Sequence, residues 1–513
     1  MKYIKKYWPL ILLVIFMVFG GYLRLHGLST NYSFWMDEDH VAVMVRQLNM
    51  QGVSYLFNFK SNSNLYQLGL YLIDSVSIRI FGFNELALRM PAVVFGILTI
   101  WAVYLLGREL FNRQTALVAS FLTAFLQIQI VWSRQARPYQ GLQLCYLLSA
   151  WLIYRMIKKT GNSKWNLIGF LVSGFIGASL HGLGALIIPI GLFILLLFGW
   201  RRYWKEIMVA CLVTVILIIL FRIDGLGMIK NIGSFNNLFY YRVFLTHNYL
   251  PLCIAAVIGA VAVLVTKKSQ QLLLLCLFIL PQIFVVTFIL PQPFIRYIFI
   301  IMPFLYLLAG YGIIRTGEIL DTRYNKLLSN IQYPISPRVL RPLISNIKYL
   351  VSLAVFIILI VSLVGSNKLT LTPREFYSLN NDMQEIPEVD WKAIYQVVKD
   401  NGGGTKTIPL ITNWGTTPQW YLGDEANLYL ARIKEGERTI NTVVDLQKLI
   451  SQYPSGIVVF DSWDNHLPPE ILHYCRDTMK LIYEIDRLYP VQPRYWTVWV
   501  FRWGTTKGIL DTR

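Results

Sequence analysis

The segment ALRMPAVVFGILTIWAVYLLGRELFNRQTALVASFLTAF (87–125) decides the fold class, because it joins two long apolar runs through a short charged connection. The runs extend over residues 89–106 and 115–132, and the connection GRELFNR occupies residues 107–113. A run of about 20 apolar residues can cross a bilayer as a helix whose backbone groups bond to one another. The segment therefore predicts two membrane-spanning helices.

Apolar runs of similar length recur through the first 370 residues. The first, MKYIKKYWPLILLVIFMVFGGYLRL (1–25), has a basic flank and no small-residue cleavage site, so we expect a retained anchor. Together the runs predict about eleven membrane spans. The remaining runs lie near 140–157, 166–180, 182–199, 206–221, 250–266, 271–290, 298–314 and 347–364.

Composition and charge point to the same class of protein. The chain of 513 residues is 55% hydrophobic and 15% charged, which argues against an ordinary soluble enzyme. Residues 1–370 carry a net charge of +22 and residues 371–513 a net charge of −3. The basic residues fall mostly in connections that become cytoplasmic when the N-terminus is cytoplasmic. We therefore expect a multi-pass protein of the cell (inner) membrane, with an extracytoplasmic C-terminal part and no nucleic-acid partner.

The last part of the chain has a different pattern. Alternating runs at 407–412, 456–461 and 496–501 predict strands, while 390–400 and 441–452 have helical apolar spacing. The predicted organisation is a mainly α membrane domain (1–364) with a long first external loop (29–88), followed by a small extracytoplasmic α/β domain (371–513).

Three acids follow the first predicted span, within FWMDEDH (34–40). Asp37, Glu38 and Asp39 account for three of the ten acids in the first 370 residues. Most acidic triplets are solvated loops. Next to apolar surface, however, carboxylates bind protons more readily and suit proton abstraction or cation binding. We favour this functional interpretation.

Arginine and aromatic residues mark other predicted external helix ends. WSRQARPYQ (132–140) contains Arg134 and Arg137, which would share a face on a helical turn and could bind a phosphate. PQPFIRYIFIIMP (291–303) contains Arg296 and Tyr297. The alternative is that these residues anchor the helices at the lipid headgroups. His181, at another outer helix end, is more often a packed residue than a ligand in such a position.

These motifs, in this order, resemble the GT-C membrane glycosyltransferases. More specifically, W-M-D-E after the first span, the segment 87–125, S-R-Q-A-R-P-Y and FIRYIFIIMPFLYLLAGYGI (294–313) resemble the protein O-mannosyltransferase and aminoarabinose-transferase group. The likeness covers roughly residues 8–315. The C-terminal part resembles the external α/β domains of some bacterial members.

The resemblance implies an enzyme that transfers a sugar from a polyprenyl-phosphate carrier to an envelope acceptor at the outer membrane face. It implies that Asp37 is the catalytic carboxylate and that Glu38 assists. Transfer inverts the sugar centre if Asp37 acts as the base. The donor phosphate would contact Arg134, Arg137, Tyr139, Arg296 and Tyr297, and Asp39, His40, Lys60 and His181 are auxiliary candidates.

In one place the chain departs from the family pattern. Relatives often have a Pro-Pro-Leu-Tyr element preceded by Glu, His or Lys, where this chain has SNSNLYQ (61–67) and only Lys60 before it. That element helps some members to bind a metal or the donor phosphate. The sequence thus names no certain cofactor and leaves a divalent metal open.

The competing hypothesis is a polytopic transporter or a flippase for lipid-linked glycans. Transporters usually place ionisable residues near the middle of the bilayer, whereas the predicted spans here are nearly free of charge at their centres. A ligase that moves whole lipid-linked glycans is a further alternative. The expected partners of the enzyme are the polyprenyl-phosphate-linked sugar, membrane lipids and the envelope acceptor.

Overall fold

The computed structural model describes residues 2–29, 33–34, 36–52, 55, 67–220, 230–330, 347–374, 389–423, 425–432, 438–462, 467–488 and 495–504. The chain divides into two compact units, which we call the membrane unit (Met1–Leu28 and Val53–Tyr377) and the α/β unit (Ser29–Gly52 and Ser378–Arg513). The sequence predicted a membrane domain that ends at residue 364 and an α/β domain that begins at residue 371. Residues 29–52, however, group with the α/β unit and not with the membrane helices.

The membrane unit is helical in nearly all of its described residues. Its helices are α1 (Lys2–Leu25), α3 (Leu68–Phe81), α4 (Glu85–Leu110), α5 (Arg113–Phe125), α6 (Gln127–Trp132), α7 (Tyr139–Lys158), α8 (Ser163–Leu180), α9 (Ile187–Leu220), α10 (Leu238–Val265), α11 (Ser269–Phe288), α12 (Ile295–Phe299), α13 (Met302–Asn330) and α14 (Ile347–Gly365), with α2 (Met36–Gln51) in the other unit.

Six helical segments of the described chain are long and apolar enough to cross a membrane, so the chain is a multi-pass membrane protein. Several of them expose large apolar side chains, as at Val18 of α1 and Ile358 of α14, which is the expected surface toward lipid. The six segments are Tyr7–Leu25, Glu85–Leu110, Gly182–Ile216, Leu238–Val265, Ser269–Phe288 and Lys348–Gly365.

Asparagine side chains fix where two central helices begin. The side chain of Asn84 accepts a hydrogen bond of 2.8 Å from the backbone N–H of Ala87 and caps α4. Asn112 caps α5 in the same way through Thr115. A side-chain oxygen at this position satisfies a backbone donor that has no partner within the helix.

The predicted continuous span 115–132 is wrong, because the helix breaks at Leu126. Leu126 has an extended backbone and pairs with Leu369, just beyond α14. The backbone N–H of Gln127 donates to the carbonyl of Lys368, and that of Thr370 donates to the carbonyl of Phe125. These distant bonds replace the helical ones that the break removes.

Glycines let two membrane helices pack at backbone contact. A Cβ atom at Gly259 of α10 would lie 1.9 Å from the carbonyl oxygen of Leu308 in α13. A Cβ atom at Gly312 of α13 would lie 2.5 Å from the carbonyl oxygen of Ala255. Small residues that permit such close approach are typical of helix interfaces in membranes.

The α/β unit contains a six-stranded mixed sheet in the order β3-β2-β1-β4-β6-β5. Strands β3, β2, β1 and β4 run parallel, while β6 is antiparallel to both β4 and β5. Its elements, besides α2, are α15 (Trp391–Asp400), β1 (Leu410–Thr412), α16 (Thr416–Leu422), β2 (Leu428–Ala431), β3 (Thr439–Ile440), α17 (Val443–Gln452), β4 (Gly456–Asp461), α18 (Pro469–Thr478), β5 (Lys480–Leu488) and β6 (Tyr495–Trp503).

The sheet has an apolar core on each face. Val458 and Phe460 of β4 pack with α17 and α18, whereas Ile457 and Val459 pack with α15 on the opposite face. This alternation follows from the period of two along a strand. The strands and helices predicted for this part of the chain are therefore confirmed.

Candidate functional site

Residues from three separated segments of the membrane unit meet in what we call the arginine–aromatic cluster. It consists of Arg137, Tyr139, His181, Arg296 and Tyr297. The Tyr139 ring lies 5.3 Å from that of His181 and 6.4 Å from that of Tyr297, measured between centroids. The guanidinium carbons of Arg137 and Arg296 lie 5.5 Å and 5.8 Å from the centroid of the same ring. The structure thus brings together residues that the sequence places up to 160 positions apart.

The residues of the cluster lie in a turn, at the ends of helices or in a short helix. Arg137 is in the turn 133–138 between α6 and α7, Tyr139 begins α7, and His181 follows α8. Arg296 and Tyr297 belong to the short helix α12. The prediction that Arg134 and Arg137 share a face of a helical turn is wrong, because bends and turns replace a regular helix there.

The two guanidinium groups of the cluster lie close to aromatic rings. The Arg296 guanidinium lies 3.7 Å from the centroid of the Phe294 ring and 5.8 Å from that of Tyr297. Arg137 and Arg296 are each only 7% exposed. Guanidinium groups held on aromatic faces keep their planar donors oriented, and they match the oxygens of a phosphate. The cluster is therefore suited to bind a phosphoryl group.

His181 is held in a defined orientation by the backbone. Its Nδ1 accepts a hydrogen bond of 3.2 Å from the backbone N–H of Leu183. A ring nitrogen that accepts a hydrogen bond carries no proton, so the proton of the neutral ring is on Nε2. His181 can accordingly offer one N–H donor to an anion.

Arg134 has a different environment from Arg137 and Arg296. Its Nη1 donates to the backbone carbonyls of Arg24 and His26 at 3.0 Å and 2.6 Å. Arg24 in turn donates to the carbonyls of Thr123 and Ala124, near the end of α5. Both arginines thus supply donors to carbonyls at helix ends, which indicates a structural function for Arg134.

Buried glutamines hold α12 in place, and the sequence interpretation did not name them. Gln143 donates a hydrogen bond of 2.6 Å to the carbonyl of Phe299. Gln282 donates to the carbonyl of Tyr297 at 3.1 Å and accepts one of 2.8 Å from Tyr146. The sequence signal that could have revealed these glutamines is an amide side chain inside an apolar run, because polar residues in a membrane helix usually have a defined partner.

The acidic triplet lies in the α/β unit and begins α2, so the predicted loop is in fact the first turn of a helix. Asp37 is half-buried, whereas Glu38 and Asp39 are each 1% exposed. Acidic residues in this first turn are favoured by the positive end of the helix dipole. Asp37 is therefore the member of the triplet with the most exposed side chain.

Asp39 is anchored by two hydroxyl groups. Thr416 donates to one carboxylate oxygen at 2.9 Å, and Thr417 makes a short hydrogen bond to the other. Burial raises the pKa of Asp39 to about 7, although both hydroxyl groups act in the opposite direction. The carboxyl group of Asp39 therefore titrates near neutral pH.

Two auxiliary candidates, His40 and Lys60, remain. His40 is exposed, and Lys60 lies outside the described residues. Among the residues that the structure covers, no group of three or more His, Cys, Asp or Glu side chains is placed to hold a metal ion.

A family model described as dolichyl-phosphate-mannose-protein mannosyltransferase matches residues 68–223. YkcB of Bacillus subtilis is 31% identical over 104 residues, which are 20% of this chain and 14% of that protein. Dolichyl-phosphooligosaccharide-protein glycotransferase 1 of Pyrococcus furiosus is 32% identical over 205 residues, 35% of this chain and 20% of that protein. The aligned segments therefore span a fifth or less of these relatives.

A solved structure covers almost the whole chain. ArnT from Cupriavidus metallidurans in the apo state superposes with a TM-score of 0.62 at 14% identity, over 97% of this chain and 98% of that one. ArnT bound to undecaprenyl phosphate gives a TM-score of 0.60 at 13% identity, over 95% and 97%. At this identity the likeness shows the fold. The fold and the family match together confirm the resemblance to the GT-C membrane glycosyltransferases.

Proposed function

We propose that the protein is a membrane glycosyltransferase that moves a sugar from a polyprenyl-phosphate donor to an envelope acceptor at the outer membrane face. The observation that carries this proposal is the arginine–aromatic cluster, with two buried guanidinium groups on aromatic faces in a chain of this fold. The fold neighbour ArnT has been solved with undecaprenyl phosphate, which supports a lipid phosphate as the donor.

In the proposed reaction, Arg137 and Arg296 bind the donor phosphate, and His181 adds its Nε2–H. Tyr139 and Tyr297 hold the guanidinium groups in place. As the bond between sugar and phosphate breaks, negative charge builds on the phosphate. Fixed guanidinium groups stabilise that charge without reorganisation. We assign Arg134 to the support of this region, because its donors face backbone carbonyls.

Asp37 is the proposed base. It takes the proton of the acceptor while the acceptor attacks the sugar carbon, and the lipid phosphate leaves. This is a single displacement, so the configuration at the sugar carbon is inverted. Glu38 assists or orients Asp37.

The proposal includes a membrane topology. About eleven segments cross the membrane, the N-terminus is cytoplasmic, and the α/β unit is extracytoplasmic, in the cell (inner) membrane. The lysines and arginines of the predicted cytoplasmic connections support this orientation.

The proposed function is tested in a strain that lacks the gene. Mass spectrometry of its lipid extract should show accumulation of a polyprenyl-phosphate sugar, because the donor is no longer consumed. Wild-type protein should remove the accumulated lipid, and Asp37→Asn should not, although it reaches the membrane in equal amount. Asp445→Asn, which changes an exposed acid of α17, is the matched control and should act like wild type. An unchanged lipid profile in the deletion strain would argue for a transporter or another activity.

A further inference from the structure

The helix that carries Asp37 is built into the α/β unit along most of its length. Before the helix, Ser33 donates to the carbonyl of Val389 at 3.0 Å and accepts from the backbone N–H of Trp391 at 2.7 Å. The backbone N–H of Phe34 donates to the hydroxyl of Tyr421 at 2.9 Å. Nearer the other end, Arg46 donates to the carbonyl of Gln419 at 2.8 Å. Helix α2 is thus held at both ends by residues that follow it by more than 350 positions.

Between Ser33 and Arg46 in the sequence, Asp39 accepts hydrogen bonds from two threonines of α16. Asp39 and Thr417 are each 1% exposed, so water cannot replace the hydroxyl group of Thr417, whereas Thr416 is half-buried. Each carboxylate oxygen has its own threonine partner. A buried carboxylate with two fixed donors has a defined side-chain orientation, and it fixes the rotation of the first turn of α2.

The rotation of this turn decides where Asp37 points. Successive helix residues are about 100° apart, so residues two positions apart face nearly opposite directions. Asp39 faces α16, and Asp37 accordingly faces away from it. The exposure of the two side chains agrees, since Asp37 is half-buried and Asp39 fully buried.

We propose that Thr416 and Thr417 are positioning residues, which hold the helix of the catalytic carboxylate through Asp39. The C-terminal part of the chain then acts on the transfer step itself, by orienting Asp37. The inference rests on the proposed function, because it takes Asp37 as the base.

The test uses the full-length protein with both threonines changed to valine, which keeps their shape and removes the hydroxyl groups. We expect kcat to fall by at least about tenfold with the KM for the lipid donor unchanged, because a 1 Å displacement of a reacting group is costly. The double serine variant restores both hydroxyl groups and should recover kcat to within about twofold. Thr407→Val, at an exposed threonine of the same unit, is the matched control and should leave kcat unchanged.

Hydrogen exchange provides a readout that does not depend on activity. Backbone amides of residues 40–46 should exchange at least about tenfold faster in the double valine variant, while amides of β4 (Gly456–Asp461) should keep their protection. If the β4 amides also lose protection, the α/β unit has unfolded in the double variant. The measurement is then repeated with Thr416→Val alone, which keeps the hydrogen bond from Thr417 to Asp39.

The outcomes separate the two proposals. If hydrogen exchange in α2 is unchanged in the double valine variant, the threonines do not hold the helix. If exchange is faster but kcat is unchanged, the threonines hold the helix without affecting catalysis. A wild-type protein that transfers no sugar from any polyprenyl-phosphate donor would instead overturn the proposed function. In that case the exchange result would still decide whether the threonines anchor the helix.

Discussion

The raised pKa of Asp39 predicts how the stability of the α/β unit depends on pH. The pKa rises from 3.8 to about 7 in the folded protein, mainly because the carboxyl group is buried. Between these two values the folded state keeps a proton that the unfolded state releases. The free energy of unfolding must therefore fall as the pH rises through this range, and it levels off above pH 7.

The size of the effect follows from the shift. One pKa unit corresponds to about 1.4 kcal/mol, so the full shift is worth up to about 4 kcal/mol. Between pH 5 and pH 8 the loss is at most about 3 kcal/mol, and we expect at least about 1 kcal/mol. Asp39→Asn is neutral at every pH and keeps side-chain partners for the threonine hydroxyl groups. It should abolish this dependence.

Hydrogen exchange of the β4 amides in the full-length protein measures the opening free energy, after correction for the intrinsic rate at each pH. Asp445→Asn serves as the control. A hydrogen bond from Thr442 lowers the pKa of Asp445, so its contribution is lost only at pH values below its usual range. This control should be equally sensitive to pH as wild type between pH 5 and pH 8. An equal slope in wild type and Asp39→Asn would refute the reasoning.

Four further substitutions test the membrane unit. Arg137→Lys and Arg296→Lys should each weaken the binding of undecaprenyl phosphate by about tenfold, because lysine lacks the planar donor group of arginine. The control Arg242→Lys, at an exposed arginine, should bind the lipid like wild type. If a lipid-binding assay gives equal affinities for all of these proteins, Arg137 and Arg296 only anchor their helices. Arg134→Lys should lower the thermal unfolding midpoint and keep the lipid affinity, and a loss of affinity like that of Arg296→Lys would show a direct part in binding. Gly259→Val should destabilise the protein by about 3 kcal/mol or more, because its Cβ would meet the Leu308 carbonyl; an unchanged midpoint would contradict this packing.

Much of the α/β unit could be predicted from sequence because its signals are local. The run GIVVFD is β4 at 456–461, and the helix predicted over 390–400 begins at Trp391 and ends at Asp400. Alternation along a strand and spacing along a helix are set by neighbouring residues. The residues of the arginine–aromatic cluster could also be selected from the local sequence, because each lies near the end of an apolar run.

The features that sequence reasoning missed depend on contacts between distant residues. The break at Leu126 needs Leu369 as its partner, and no local residue type marks it. Asp39 and Thr417 are 378 positions apart, so neither residue reveals the anchor. Arg134 and Arg137 look equivalent in SRQARPY. The backbone carbonyls around Arg134 and the Tyr139 ring beside Arg137 distinguish them in the structure.

Transfer by the purified protein tests the central claim most directly. The protein in detergent or nanodiscs is incubated with a panel of polyprenyl-phosphate sugars and an envelope extract, and release of the free polyprenyl phosphate is followed by mass spectrometry. We predict that wild-type protein consumes at least one donor and that Asp37→Asn reduces the rate at least about a hundredfold while still binding undecaprenyl phosphate. Equal donor consumption by wild type and Asp37→Asn, or no consumption of any donor by a protein that binds the lipid, would contradict the account.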